Sequence, residues 1–325
     1  MKQLFASLVL AYLTVLGCAI GLREVEVTWL TVQPAQAATV EAQRPKVRIG
    51  LYETTEPITV TVNGNSKLKT SSGETLAAIP SNTTVTLSYD AASGLYQATI
   101  GEVITTSAEA LKVEPRKKNK ITTITSYSNP PAWDTSLNDN EFYGSIELND
   151  GWVVNVLGIE NYVKGIAEAS NDNPEAYLKT LYTAARTYAY FQYLYPTKHA
   201  GEPYLLDSTA NDQVYRGYGL TKRSPNIVSA VDATAGMVVT YDDAVVVTPY
   251  FSQSDGRTRS WSEVWNGDYA YLQSVDDPGC EGDELLGHGV GLSAAGARYF
   301  ANELNWHWQE ILQYYYQGIQ VQPLW

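Results

Sequence analysis

One run constrains the fold more than any other: residues 165–190, GIAEASNDNPEAYLKTLYTAARTYAY. From Pro174 its apolar residues Leu178, Leu181, Tyr182, Ala185, Tyr188 and Ala189 recur at three- and four-residue spacing, which makes one face of a helix apolar. Asn173 is a suitable N-cap, Pro174 fits the first helical position, and Glu175 suits the positive end of the helix dipole. Ala184 and Ala185 are small enough for another element to approach closely, and Arg186 stands beside the apolar stripe. The helix is expected to reach about Tyr195. Around it lie short β-branched runs and shorter helical patterns. The expected class is therefore α+β, with hairpins and helices mixed and no regular β–α alternation of a parallel sheet.

The 325 residues suggest one large domain or two smaller ones. Residues 23–45 carry no clear periodicity. From Lys46 onward, Val47–Leu51, Ile58–Val62, Thr84–Leu87 and Tyr96–Ile100 are alternating runs separated by Gly, Asn and Ser. Such runs are strands joined by turns, so residues 46–115 are expected to form a small β module. Residues 116–140 are polar, contain Pro130-Pro131, and are expected to connect it to a second domain at 141–325. There, Phe142–Leu148 and Trp152–Leu157 flank Asn149-Asp150-Gly151 as a hairpin, and Met237–Tyr241 with Ala244–Phe251 form another. Helices are expected at 159–164, 226–234, from a Ser293 cap to about Leu304, and at 306–316. Residues 196–225 are expected to be loop-rich.

Charge and cysteine usage narrow the function. The chain has 22 Lys+Arg against 35 Asp+Glu, a net of −13, and its densest basic run is Lys117, Lys118 and Lys120. That run suits a solvated linker and is too short to track phosphates, so no nucleic-acid partner is expected. At the N-terminus, Lys2 precedes the continuously apolar or small stretch Leu4–Leu22, an export signal. Residues 1–37 then either end at a cleavage site, Ala35-Gln36-Ala37, or stay as a membrane anchor, since 19 apolar residues approach the ~20 that span a bilayer. Lipid attachment at Cys18 is a third option. In each case the folded part works outside the cytoplasm, secreted or anchored, with no other membrane contact. Cys18 lies in that segment and leaves Cys280 as the single thiol of the folded part, so no intrachain disulfide forms. The 24 Tyr against 5 Phe fit a half-wet core or polar, carbohydrate-facing clefts.

No GxGxxG or GxxxxGK is present to cradle a nucleotide, no HExxH or CxxC pair to hold zinc, and no GxSxG elbow. No cofactor is expected. Glu168 lies among small residues in an apolar neighbourhood, a setting that raises a carboxyl pKa and suits a general acid. A helix-end or surface acid is the ordinary alternative. His288, within Gly287-His288-Gly289-Val290-Gly291-Leu292-Ser293, either lines a cleft or caps a backbone group at a tight turn. Asp207–Tyr215 suits sugar hydroxyls and a ring face, and equally an ordinary loop of Asx and Ser turns. Ser252, Ser254 and Thr258 leave the same two readings open. Trp261 and Trp265 either stack on sugars or fill the core. His307 is expected to be structural and His199 solvated.

In this order, Asn155–Gly165, Ala184–Ala189, Asp212–Tyr215, Ser254–Thr258, Gly287–Ser293 and Ile311–Tyr316 resemble the sporulation stage II protein D family, the SpoIID/LytB domain, over roughly residues 140–320. The resemblance implies work on bacterial peptidoglycan. Some members are lytic transglycosylases acting on glycan strands freed of stem peptides, and others enhance an N-acetylmuramoyl-L-alanine amidase. The family's catalytic glutamate falls between the Lys164-Gly165 segment and the Ala184-Ala185-Arg186-Thr187 helix, an interval that holds Glu168 and Glu175. A short gap after Ile166 places Glu168 on it. The family's usual Pro and Met beside that glutamate are absent, and only Gly279–Leu286 precede the Gly-His-Gly segment, where many members have a longer insertion.

The expectation is a peptidoglycan lytic transglycosylase. Glu168 would serve as acid and base, with Arg186, Gln213, Tyr215, Ser252, Ser254 and His288 binding substrate. The alternative is a non-catalytic, peptidoglycan-binding amidase enhancer with a cell-wall amidase as partner. Some members hold zinc through Cys and His. Cys280 and His288 alone are too few ligands, so no metal is expected.

Overall fold

A computed structural model describes residues 44–325, and the expected export or anchor segment at 1–37 lies outside the described residues. Two antiparallel layers form its first half. One sheet has seven strands in the spatial order Leu206–Asp207, Lys46–Glu53, Trp152–Gly158, Ser145–Asn149, Leu111–Pro115, Ser66–Thr70 and Thr75–Ile79. Only the short Leu206–Asp207 strand runs parallel to its neighbour. The other sheet has six strands, in the order Glu141–Tyr143, Ile121–Ile124, Ile58–Val62, Val85–Asp90, Leu95–Ile100 and Val103–Ser107. Alternation sets which side chains turn inward. Val47, Ile49, Leu68, Val113 and Ile146 of the first sheet share one buried core with Ile58, Val60, Val85 and Leu87 of the second. Each such side chain contributes about 1.5–3 kcal/mol on burial.

The expected division between a 46–115 module and a 141–325 domain does not follow a seam in these sheets. Lys46–Glu53 pairs along its length with Trp152–Gly158, and Leu111–Pro115 pairs with Ser145–Asn149. Nor are residues 116–140 only a connector, because Ile121–Ile124 bridges Ile58–Val62 and Glu141–Tyr143. Local patterning marks strands well but says nothing of partners a hundred residues away.

Seven helices occur among the described residues: α1 (Ile159–Val163), α2 (Glu175–Leu194), α3 (Gly217–Arg223), α4 (Pro225–Ala233), α5 (Trp261–Val264), α6 (Ala294–Asn302) and α7 (Trp308–Tyr315). With the mixed sheets they make the class α+β. Helix α2 packs against α1, α4, α6, α7 and the strand Met237–Tyr241. Twelve of its 20 residues are buried, including Thr180, Thr183, Arg186 and Thr187, so it is a central helix and not a one-sided surface helix. It starts one residue later than expected. Pro174 is the N-cap, and the Asn173 carboxamide turns back to accept the Ser170 N–H at 3.2 Å. Ser293 caps α6 as expected, accepting the Gly296 N–H. His307 begins α7, where the Glu310 carboxylate accepts its backbone N–H at 2.7 Å. Helix α3 occupies part of the stretch expected to be loop.

Candidate functional site

A cavity of about 450 Å³ opens beside α2. Glu168, Tyr188, Gln192, Asn211, Asp212, Tyr250, Ser252, Trp261, Trp265 and His288 contribute to its lining. Four stretches of chain build it: the loop before α2, α2 itself with the turn at Lys198 that follows it, the 207–215 loop, and the 247–294 segment.

Glu168 is held by short-range backbone pairing. Ile166 and Tyr215 form an antiparallel bridge, and the Ala167 N–H donates to the Val214 carbonyl at 2.7 Å. In return the Val214 N–H donates to Glu168 Oε1 at 2.7 Å. Burial holds the Glu168 carboxyl above its ordinary range, and the Val214 N–H opposes that shift in part. No cation contributes to the balance. Glu175, the other acid of the interval, is different in kind. Its side chain is 73% exposed and pairs with Lys179 one turn along α2.

The Asp212-Gln213-Val214-Tyr215 run acts as the clamp for this loop. The Asp212 carboxylate is fully buried and has four partners: Lys198 Nζ at 2.7 Å, Tyr188 Oη at 2.8 Å, His199 Nε2 at 2.6 Å and the Asp207 N–H at 2.7 Å. Burial alone would raise its pKa, but Lys198, the Asp207 N–H, Tyr188 and His199 together hold it below the usual carboxylate range. Gln213 is fully buried. Its Oε1 accepts from Tyr162 Oη at 2.9 Å, and its Nε2 donates to the Ala185 carbonyl and to Tyr250 Oη at 3.1 Å. Tyr215 Oη donates to Asn155 Oδ1 at 2.8 Å, and its ring packs so closely on Gly165 that a Cβ there would fall 2.5 Å from Cε2.

The expected site residues therefore divide. Glu168, Ser252 and His288 meet at the cavity. Arg186 does not line it: the guanidinium is wholly buried and grips Glu160 through Nε and Nη2 at 2.9–3.1 Å, with Nη2 also donating to the Val231 carbonyl. Gln213 and Tyr215 lie behind the wall as struts. Ser254 is buried as well, its Oγ donating to Asp277 Oδ2 at 2.6 Å. These four side chains are spent on protein partners, which leaves none of their polar atoms to offer a ligand.

His288 sits on a backbone that needs its glycines. Gly287 and Gly291 have φ of 108° and 77°, and a Cβ on Gly291 would lie 2.2 Å from the Pro249 carbonyl oxygen. The Val290 N–H donates to His288 Nδ1 at 3.1 Å. Burial lowers the imidazole pKa, against a weaker opposing pull from the Tyr250 backbone, so the ring is neutral near pH 7 with its proton on Nε2.

Sequence reasoning passed over Tyr188, Gln192 and Tyr250 as lining residues, and left Trp261 and Trp265 undecided. Tyrosine recurring at helical spacing looks like core, and Tyr250 lies beyond a break: the return strand expected over Ala244–Phe251 ends at Val245, and the chain resumes as Tyr250–Phe251 paired with Leu292–Ser293. His199, Asp207 and Asp212 bring metal-ligand atom types within 4.8 Å of one another. Asp212 is already neutralised there by Lys198, so the group is an ion-pair and hydrogen-bond network, and no metal is assigned to it.

Comparison with known proteins finds a family match over part of the chain that builds this site. Residues 148–241 match the family described as SpoIID, Stage II sporulation protein. An uncharacterized protein of Brachyspira hyodysenteriae is 34% identical over 186 residues, which cover 54% of this chain and 49% of the relative. Stage II sporulation protein D of Bacillus amyloliquefaciens is 30% identical over 137 residues, and that of Bacillus subtilis 29% over 135, each match covering 38% of this chain and 39% of the relative. The chain spans about half the length of these curated relatives or less. The matches support the SpoIID resemblance, and the matched family segment contains Glu168, α2 and the Asp212–Tyr215 clamp.

Proposed function

We propose that the protein acts on bacterial cell-wall glycan as a lytic transglycosylase, with Glu168 as the single acid and base. The carrying observation is the state of the carboxylates in the cavity. Glu168 is half-buried, meets one backbone N–H and no cation, and has a raised pKa. The only other acid of the lining, Asp212, is locked by four partners. A hydrolase of the usual two-carboxylate kind needs a second free carboxylate to activate water or attack the sugar. An intramolecular attack by a sugar hydroxyl needs only one residue, used twice.

In this mechanism protonated Glu168 gives its proton to the glycosidic oxygen between N-acetylmuramic acid and N-acetylglucosamine as the C1–O bond breaks. The resulting carboxylate takes the proton of the muramoyl C6 hydroxyl as that oxygen bonds to C1. The anhydro ring closes, and Glu168 ends protonated as it began. A pKa raised by burial keeps the acid form populated closer to neutral pH. Tyr250 supports the same centre. Its hydroxyl accepts the Gln213 N–H, which leaves its own proton to donate elsewhere, and the residue lines the cavity.

Incubation with glycan strands freed of stem peptides, followed by mass spectrometry, tests the reading. Anhydro-muramoyl ends that vanish with Glu168→Gln are expected. Reducing ends instead would show a hydrolase. Retained wall binding with no cleavage would show an amidase enhancer.

A further inference from the structure

The short helix α5 and its surroundings are built with more care than a surface turn requires. Ser260 and Glu263 form a capping box: the Glu263 carboxylate accepts the Ser260 N–H at 2.7 Å, and Arg257 holds that carboxylate at 3.0 Å. The Trp265 N–H closes the turn on the Trp261 carbonyl at 2.8 Å. Trp261 is fixed twice more, by its backbone N–H on the Leu272 carbonyl and by its indole N–H on the Asn266 carbonyl at 2.9 Å. Tyr269 stands edge-on behind it, with ring centroids 4.8 Å apart at 89°.

This rigid turn presents a face to the cavity. Trp261 and Trp265 both contribute to the lining, their ring centroids 4.5 Å apart. The Trp265 ring continues to His288 at 4.9 Å, and His288 continues to Phe251 at 5.6 Å. The wall is thus continuously aromatic. It is not core, because Trp265 keeps 37% of its surface exposed. An exposed indole held on a capped turn beside a cavity is an apolar surface waiting for a partner.

We infer that Trp265, backed by Trp261, is the sugar-stacking platform of the Glu168 cavity and takes the C–H face of one N-acetylated pyranose ring. This rests on the glycan reading above. The chemistry of the other walls selects the occupant. Glu168, Gln192, Asn211 and Ser252 border the same space, so a lipid or apolar peptide would leave hydrogen-bonding groups unmatched. Lys198, the basic residue of the lining, is already engaged by Asp212, so these walls address a ligand through hydrogen bonds and apolar contact. A pyranose has what both walls require: one face of C–H bonds and a rim of hydroxyl and amide groups.

The test uses full-length protein carrying Glu168→Gln, so that ligand is bound but not cut. The probe is the neutral GlcNAc tetramer, titrated by calorimetry and by tryptophan fluorescence. Adding Trp265→Ala should weaken binding about tenfold, the scale of a lost aromatic contact, and should remove the fluorescence response. Trp265→Phe should retain affinity within about threefold. Trp133→Ala is the control, being 61% exposed and packed on Arg216 and Arg223, outside the cavity lining. It should bind like the parent. If Trp265→Ala binds the tetramer as tightly as the parent, the platform is overturned and the glycan reading stands. If the parent binds neither the tetramer nor stem-peptide-free glycan, both are overturned.

Discussion

Glu160 and Glu168 lie on either side of the same short helix end, eight residues apart, and the protein treats them in opposite ways. Glu160 receives Arg186, the Gly236 N–H at 2.9 Å and the Trp325 indole N–H at 3.2 Å. Its charge is matched and its lone pairs are filled. Glu168 receives one N–H and otherwise meets tyrosines: Tyr162, Tyr177, Tyr182 and Tyr250 each have a phenol pKa pushed further up by its charge. A glutamate given a buried cation fastens two helices together. A glutamate given burial without a cation is left with a proton to trade.

Exchange of roles is the hardest way to break this comparison. Glu168→Gln should lower strand cleavage by about 10³-fold or more, within or beyond the range of a lost general acid, while the circular dichroism spectrum stays unchanged. Full activity in that variant would remove Glu168 from the chemistry. Next in size is Arg186→Met. It leaves Glu160 without its cation and should cost about 3–5 kcal/mol in denaturant unfolding. The molecules that remain folded should bind glycan as before, because Arg186 does not line the cavity. A weakened glycan affinity with unchanged stability would restore Arg186 to a binding role.

These pairings show why part of the site was legible in the sequence and part was not. The period of α2, the Ser293 cap and the hairpin at Asp150-Gly151 are local, and they appear in the structure within a residue or two. Glu168 stood out because its neighbours are small. Arg186, Gln213, Tyr215 and Ser254 stood out for being polar in marked segments, and the same marks fit structural roles. Their partners are Glu160, Tyr162, Asn155 and Asp277, separated by 26, 51, 60 and 23 residues. No local pattern reveals whether a polar side chain faces a ligand or a distant strand. Trp265 stays open in the sequence for the same reason, since exposure is a property of the fold and tryptophan alone does not settle it.

A smaller effect sharpens the link between the clamp and the acid. Asp212→Asn removes the charge that holds Lys198 and His199. Lys198 is partly solvated and recovers water in exchange, so the loss should be about 1–3 kcal/mol. Asp212 carries a lowered pKa in the folded state. Its contribution is therefore present above its unfolded pKa and lost as pH falls through the lower folded one. The variant should accordingly be less stable than the parent at pH 7, and the gap should close as pH falls through the folded pKa of Asp212. If the clamp also positions the Val214 N–H, loosening it weakens the one contact that restrains the Glu168 pKa. The basic limb of the pH–rate profile should then move to higher pH, which a mere loss of stability would not produce.

The smallest effect concerns stability alone and has the opposite sign. Glu168 has a raised pKa, so between its unfolded value near 4.5 and its folded value the native state binds more protons than the unfolded chain. Stability from this group is full below the unfolded pKa and declines as pH rises through the folded pKa. The ionised carboxylate then becomes a burden, the kind that active sites carry against the stability of the fold. Glu168→Gln removes the ionisation but keeps a group that can accept the Val214 N–H. The variant should be more stable than the parent at pH 8, by an amount within the ~0.5–2 kcal/mol of a typical single stabilising change. The gain should shrink toward zero at pH 4. Glu160→Gln should instead lose stability at pH 8, because the buried Arg186 then lacks its counter-charge. A gain of stability at pH 8 in both variants, read by thermal unfolding, would erase the distinction between the two glutamates.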